Sequence, residues 1–209
     1  MTILSLTSVP PRFAQLGPVL ASLVGQGADR VILALARQYT RFPGPVTPPA
    51  LPEGVKIIWS EDFGPATKIL AAQRAYPDAE IVYCDDDCLY APGWLSALRD
   101  GPGVRAGSVF DARRLKRQGG VVAQGFAGVR LPAGFAPFTP PPAACLLADD
   151  LWLSAEMAAR GVSITSSRAA RAHVTTLKSS HGLQDLDRRD TYEQAVAIVH
   201  SIWRVWPPT

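Results

Sequence analysis

Apolar residues in the first half of the chain fall in short runs divided by proline, glycine and charge, with stretches of helical spacing between them. Ile3 to Val9 predicts a first strand, ended by Pro10-Pro11. Leu16, Val19, Leu20 and Leu23 share one face of a helix expected over Phe13 to Gln26. Val31 to Leu35 predicts a second strand. The proline-punctuated stretch from Arg37 to Glu53 cannot be regular structure. Val55 to Trp59 predicts a third strand, and Ala66 to Tyr76 a helix entered through Gly64-Pro65. Ala79 to Tyr83 then reads as a short buried strand. Strands alternating with helices in this way predict an α/β fold with a mostly parallel, Rossmann-like sheet flanked by helices.

The second half is less regular. Pro92 to Arg99 predicts a short helix with Pro92 in its first turn, and Val104 to Phe110 and Gly120 to Val129 predict strands. Leu131 to Pro142 is rich in proline and small residues and reads as a surface loop. Asp149-Asp150 open an amphipathic helix, Leu151 to Arg160, closed by Gly161. Val162 to Thr165 and Ala172 to Leu177 are further strand candidates. A polar segment, Lys178 to Asp190, precedes a last helix over Tyr192 to Trp206. With no internal repeat and no long linker, 209 residues predict one domain.

Composition narrows the functional classes. Hydrophobic residues make up 47% of the chain and charged residues 19%, the balance of a soluble globular protein. A formal charge of +3, with no basic run interleaved with aromatics, argues against a nucleic-acid partner. It suits a diphosphate-bearing substrate or an anionic membrane surface equally. The amino terminus lacks the basic flank and apolar core of a secretion signal, and no apolar stretch approaches the roughly 20 residues that span a bilayer. Cys84, Cys88 and Cys145 are expected to be reduced, buried thiols of a cytoplasmic protein. They lack the paired spacing of a zinc site. The terminal Trp203-Arg204-Val205-Trp206 either touches a membrane interface peripherally or packs the last helix on the domain.

The chemistry concentrates in Tyr83-Cys84-Asp85-Asp86-Asp87-Cys88, where three carboxylates crowd the end of a buried strand. In open α/β sheets ligands bind at that edge. Continued extended chain would put Asp85 and Asp87 on one face and Asp86 on the other. Acids so close repel unless a cation compensates them, and a divalent ion that also holds substrate phosphates would do so. Lys68 follows Gly64-Pro65-Ala66-Thr67 and is either an exposed lysine in a first helical turn or a point charge for a phosphate. Asp149-Asp150 favour a helix amino end, yet capping needs only one of them, which leaves the other as a general-base candidate. Trp152 is a core residue or a sugar-stacking one. Of the histidines, His200 is expected to be structural, and His173 or His181 could complete a metal's coordination, with His181 preferred.

Taken in order, these segments resemble the glycosyltransferases of the GT-A fold, in particular the inverting family-two type. The carriers are Thr7-Ser8-Val9-Pro10-Pro11-Arg12 after the first strand and the lysine-bearing helix of Lys68. Asp85-Asp86-Asp87 stands as the Asp-X-Asp motif, Gln124-Gly125-Phe126-Ala127-Gly128 as the acceptor segment, and Asp149-Asp150 as the acidic pair opening a helix. The resemblance implies that residues 1–100 form a nucleotide-binding half and 101–209 an acceptor-binding half. It implies that Thr7, Arg12, Lys68, Asp85 and Asp86 contact the nucleotide-sugar, with UDP-sugars favoured. Asp87 would hold Mn2+ or Mg2+, with Asp85 and His181 as further ligands. Gly125, Phe126 and Trp152 would meet the acceptor, a glycan, a lipid-linked sugar or a small molecule. Asp150, or Asp149, would be the base. The pair here is Asp-Asp where the family has Glu-Asp, and the Gln-X-X-Arg-Trp sequence of processive synthases is missing, which implies transfer of a single sugar. A sugar-phosphate nucleotidyltransferase and a non-catalytic nucleotide-binding protein are the competing expectations.

Overall fold

Residues 1–178 and 189–209 are described by the structure, a computed structural model. Strand β1 (Thr2–Thr7) buries side chains on both faces, as a central parallel strand must. A 3-10 turn over Pro10–Gln15 precedes helix α1 (Leu16–Val24), so the α-helix starts three residues later than the apolar spacing predicts. Two prolines without amide protons account for the delay. Then come β2 (Arg30–Ala36), the irregular 37–54 segment, β3 (Val55–Ser60), α2 (Thr67–Ala75) and β4 (Glu80–Tyr83). Beyond β4 lie β5 (Cys88–Tyr90), α3 (Trp94–Arg99), β6 (Val104–Ala106), β7 (Val109–Asp111), β8 (Val121–Ala123) and β9 (Val129–Leu131). The chain continues through α4 (Asp149–Ala159), β10 (Ile164–Ser166), α5 (Arg168–Ala172), β11 (Val174–Thr176) and α6 (Arg189–Trp203).

Seven strands form one sheet in the order β10-β6-β9-β4-β1-β2-β3. It is α/β and mostly parallel: only β9 runs against its neighbours, β4 and β6. Alternation along the strands feeds two cores. Leu4, Leu6, Leu33 and Val82 pack with Leu16, Leu20, Leu23, Trp94 and Leu98 from α1 and α3. Ile3, Ile32 and Ile81 turn to the opposite face, whose core includes Ile69, Leu151 and Val199 of α2, α4 and α6.

Both strands expected in the middle of the chain are broken at glycines. A Cβ at Gly107 would collide with the Ala127 carbonyl, and one at Gly128 (φ 86°) with the Trp94 ring. Close approach, which only glycine permits, therefore ends β6 and starts β9. The remaining pieces, β7 and β8, pair off as a separate antiparallel ribbon. Sequence periodicity missed β5, which pairs with β11 in a second small sheet, and α5, capped by the Ser167 hydroxyl. The last helix ends at Trp203, short of the expected Trp206, because Arg204 and Trp206 take left-handed conformations (φ 57° and 50°). Trp206 is buried over Gly120, and Trp203 stacks on Trp152, so the terminal tryptophans pack on the domain. No helix among the described residues is long and apolar enough to cross a membrane.

The topology fixes where a ligand belongs. From β1 the chain moves outward to β2 and β3, then returns to place β4 on the other side of β1. The carboxyl ends of β1 and β4 thus flank the point where strand order reverses, the usual binding crevice of such sheets.

Candidate functional site

A cleft of about 660 Å³ opens at that crevice. The segments after β1, β2 and β4, the start of α2, the Gln124–Phe126 turn and the amino end of α4 all contribute to its lining. Segments separated by more than a hundred residues thereby share one wall.

Immediately after β4 the chain turns at Asp86-Asp87 instead of staying extended. The alternation expected for the three acids is therefore replaced by another grouping. Asp86 and Asp87 share Arg12, whose Nη2 lies 2.8 Å from Asp86 Oδ1 and 3.2 Å from Asp87 Oδ2. That nitrogen is buried and charge-paired without the alignment of a hydrogen bond. Ser8 Oγ donates to Asp86 Oδ2. Burial pushes the Asp86 carboxyl up to about 6, against the opposing pull of Arg12 and Ser8. Asp85 turns the other way, towards Lys68, and its side chain, 35% exposed, is more open than that of Asp86 or Asp87.

Lys68 is the pivot of the deeper half. Its Nζ sits 2.8 Å from Asp85 Oδ1 and 2.8 Å from Asp149 Oδ2, and its side chain is 2% exposed. Burial alone would lower its pKa, but Asp149, Asp85 and Asp150 together raise it well above the usual lysine range. An ammonium so enclosed is a fixed counter-charge to two carboxylates, and it lines the cleft in which its contact with a nucleotide or phosphate is expected. The serine of β1 helps to hold it in place: Ser5 Oγ donates to the Lys68 carbonyl at 2.6 Å.

Helix α4 presents its two leading acids differently. Asp149 is buried against Lys68, whereas Asp150 is half-buried and lines the cleft. The Gly125 amide donates to Asp150 Oδ1 at 3.0 Å. Burial, with the charges of Asp149 and Asp85 added, raises the Asp150 carboxyl well above the ordinary carboxylate range. Gly125 has no side chain because there is no room for one: a Cβ would lie 3.0 Å from Asp85 Oδ1 and 3.2 Å from Lys68 Nζ. Tyr90 ties the two walls together. Its hydroxyl accepts from the Asp85 amide at 3.2 Å and lies 2.9 Å and 3.2 Å from the carbonyls of Asp85 and Phe126, to which it donates.

Most of the residues singled out in the sequence therefore meet in this cleft: Thr7, Arg12, Lys68, Asp85, Asp86, Asp87, Phe126, Asp149 and Asp150 line it, with Gly125 against the acids. Trp152 does not reach it. That side chain is 3% exposed, its Nε1 donates to the Thr139 carbonyl at 2.7 Å, and its ring packs on Trp203; the expected acceptor contact is replaced by a core role. His181 lies outside the described residues. His173 sits against Gly93, and His200 Nδ1 contacts the Val205 carbonyl at 2.7 Å.

Sequence reasoning missed Ser8 as the partner of Asp86, and it missed Tyr39, Asp62 and Arg171. Tyr39 donates to the Ser8 carbonyl at 2.8 Å, and burial raises its phenol to about 12. Asp62 accepts from the Thr40 and Gly64 amides at 2.8 and 2.9 Å, joining the loop after β2 to the turn before α2. An aspartate two residues before a glycine is a turn signal that could have been read. Nothing in the apolar pattern marks Tyr39 or Arg171.

Six carboxyl groups thus line the cleft with four basic side chains, and burial above all raises two of those carboxyls, Asp86 and Asp150. Hard oxygen donors in excess of cations are the donor set of Mg2+ or Mn2+. No group of three or more histidine, cysteine, aspartate or glutamate side chains that could hold a metal ion occurs among the described residues. A magnesium-type site needs only one or two carboxylates, with phosphate and water supplying the rest. Asp85, beside Lys68, and Asp87, beside Arg12, both line the cleft, and each could supply one such carboxylate. Neither a protein-family model nor a curated protein matches the chain.

Proposed function

We propose that the protein is a metal-dependent glycosyltransferase of the GT-A type, moving one sugar from a nucleoside-diphosphate sugar, UDP-sugars favoured, to an acceptor hydroxyl with inversion. The observation that carries this is the meeting, in one cleft at the strand-order reversal, of the Asp85–Asp87 turn and the Asp149–Asp150 helix start. One acidic group suits a donor's diphosphate and its cation. The other suits an acceptor's proton. Asp85 and Asp87 would hold the Mn2+ or Mg2+ ion, which when bound stabilises the leaving diphosphate as a Lewis acid.

The remaining steps belong to the chain's own residues. Arg12 and Ser8 fix Asp86 and with it the acidic turn. Asp149 is occupied by Lys68, which leaves Asp150 as the base. A carboxyl raised by burial is a stronger base than a solvated one and suits general-base work near neutral pH. Asp150 takes the acceptor's hydroxyl proton as the oxygen attacks the anomeric carbon opposite the leaving group. The new C–O bond forms, the bond to the diphosphate breaks, and the nucleoside diphosphate leaves with the electron pair. Three buried free cysteines and the lack of a membrane-crossing helix among the described residues fit work in the cytoplasm.

The test is thermal-shift binding across nucleoside diphosphates, with and without Mn2+, on wild type and Asp87→Ala. Stabilisation by one nucleotide that needs the metal and disappears in the variant is expected, followed by transfer from that nucleotide's sugars. No stabilisation by any of them sinks the proposal.

A further inference from the structure

We infer that Arg171, laid on the ring of Phe126, grips an anionic group of a substrate in this cleft, a phosphate or a carboxylate; which substrate carries the group rests on the glycosyltransferase reading.

Four basic side chains line the cleft: Arg12, Arg41, Lys68 and Arg171. Arg12 and Lys68 already answer acids of the protein, and the Lys68 side chain is only 2% exposed. Neither Arg41 nor Arg171 has a carboxylate within salt-bridge distance among the described residues. Both are exposed; Arg41 lies over Phe42, in the long irregular loop. Arg171 is held more firmly. Its Cζ sits 5.2 Å from the Phe126 ring centroid, and its Nη1 donates to the Val174 carbonyl at 2.9 Å. A guanidinium fixed at one nitrogen and along one face keeps its other donors in a set direction, the pre-organised fork that suits phosphate or carboxylate oxygens.

Position gives this cation its meaning. Phe126 directly follows Gly125, whose amide binds Asp150. The Phe126 carbonyl is also tied by Tyr90 to the Asp85 backbone. Arg171 is thus attached to a peptide segment that touches both acidic groups. A structural arginine needs only its ring and its carbonyl. This one also opens into a cleft where an anionic substrate otherwise meets an excess of carboxylates.

Two sources could supply the anion: the donor's diphosphate, or an acidic group beside the acceptor's hydroxyl. Calorimetric titration of wild type and Arg171→Met separates them, with Mn2+ present. The probes are inorganic pyrophosphate, the nucleoside diphosphates, and glycerol 3-phosphate as a hydroxyl-bearing anion added to the nucleotide-saturated protein. Methionine keeps apolar contact with Phe126 and removes the charge. The expected result is a loss of about tenfold or more in affinity for at least one probe, the scale of one charge-assisted contact, with an unchanged melting temperature. Loss on pyrophosphate and nucleotide assigns the donor; loss on glycerol 3-phosphate alone assigns the acceptor. Equal affinities for every probe, or no binding of any of them to wild type, overturn the inference. Arg171-dependent binding of pyrophosphate without binding of any nucleoside diphosphate keeps the anion site and removes the glycosyltransferase reading. Should Arg171→Met not fold, Phe126→Leu carries the test: it leaves the guanidinium in place but unsupported, and must weaken the same probe.

Discussion

Lys68 Nζ lies 2.8 Å from Asp149 Oδ2, and both side chains are at least nine-tenths buried. The pair joins α2 to α4 across the floor of the cleft, and through Asp85 it also reaches the acidic turn. Removing one member of a buried pair strands the other charge, at a cost of about 3–5 kcal/mol. Lys68→Met is therefore expected to lower unfolding stability on that scale, and Asp149→Asn by a similar amount. The double variant should be more stable than the sum of the two losses predicts, because neither partner is left alone. Strictly additive losses in a urea-unfolding cycle would show that the contact carries no coupling.

The same pair sets the pH dependence expected of transfer. As the proposed base, Asp150 would act only when ionised, and burial, then Asp149 and Asp85, hold its pKa above the ordinary carboxylate range while Lys68 opposes them. The rate should rise with pH, with an inflection above that range. Asp149→Asn removes a negative neighbour and moves the inflection down. Lys68→Met removes the opposing cation and moves it up. Opposite displacements in pH–rate profiles identify Asp150 as the titrating group; shifts in one direction would assign the limb elsewhere.

Asp86 gives a prediction about stability. Its folded pKa of about 6 lies above the ordinary value of 3.8. Between those values the folded protein binds the proton more tightly than the unfolded chain does. Stability from this group is thus fully present in acid and is lost as pH rises through about 6, by roughly 2–3 kcal/mol for a shift of this size. Measured in chelator, wild type should lose stability relative to Asp86→Asn between pH 4 and pH 7. A constant difference across that range would mean that Arg12 and Ser8 fully compensate the buried charge.

The sheet was legible where burial imposes long apolar runs. Strands β1 to β4, together with α2 and α4, lie within a few residues of where the apolar spacing puts them. So was the clustering of acids after β4, since three adjacent aspartates at a strand's end are visible without a structure. What escaped was set by contacts distant in sequence. Gly107 and Gly128 break strands because Ala127 and Trp94 press on them, and no local pattern announces either contact. Lys68 reads as an exposed lysine or a phosphate's point charge, and its pairing stays hidden until α4 brings Asp149 over it, 81 residues later. Arg171 belongs to a five-residue helix too short to show periodicity.

Gly125 tests how closely the two acidic groups must approach. A Cβ there would stand 3.0 Å from Asp85 Oδ1, 3.2 Å from Lys68 Nζ and 3.4 Å from Asp150 Oδ1, so the first two must give by a few tenths of an ångström while the third stands at the edge of ordinary contact. None of them is a flexible surface group: the first two are locked in ion pairs, and the third is bound to the Gly125 amide itself. Overpacking of this kind costs about 1–3 kcal/mol in stability. Its larger effect should fall on chemistry, where displacement of a positioned base lowers kcat by roughly tenfold to a hundredfold. Nucleotide affinity, which the proposed function places on Asp85 and Asp87, is the second readout. Gly17→Ala is the control, since nothing lies within 4 Å of its Cβ and the residue sits in α1. If Gly125→Ala lost nucleotide affinity in step with kcat, the acidic turn alone would be disturbed. A fall in kcat at near-constant affinity ties Gly125 to the base.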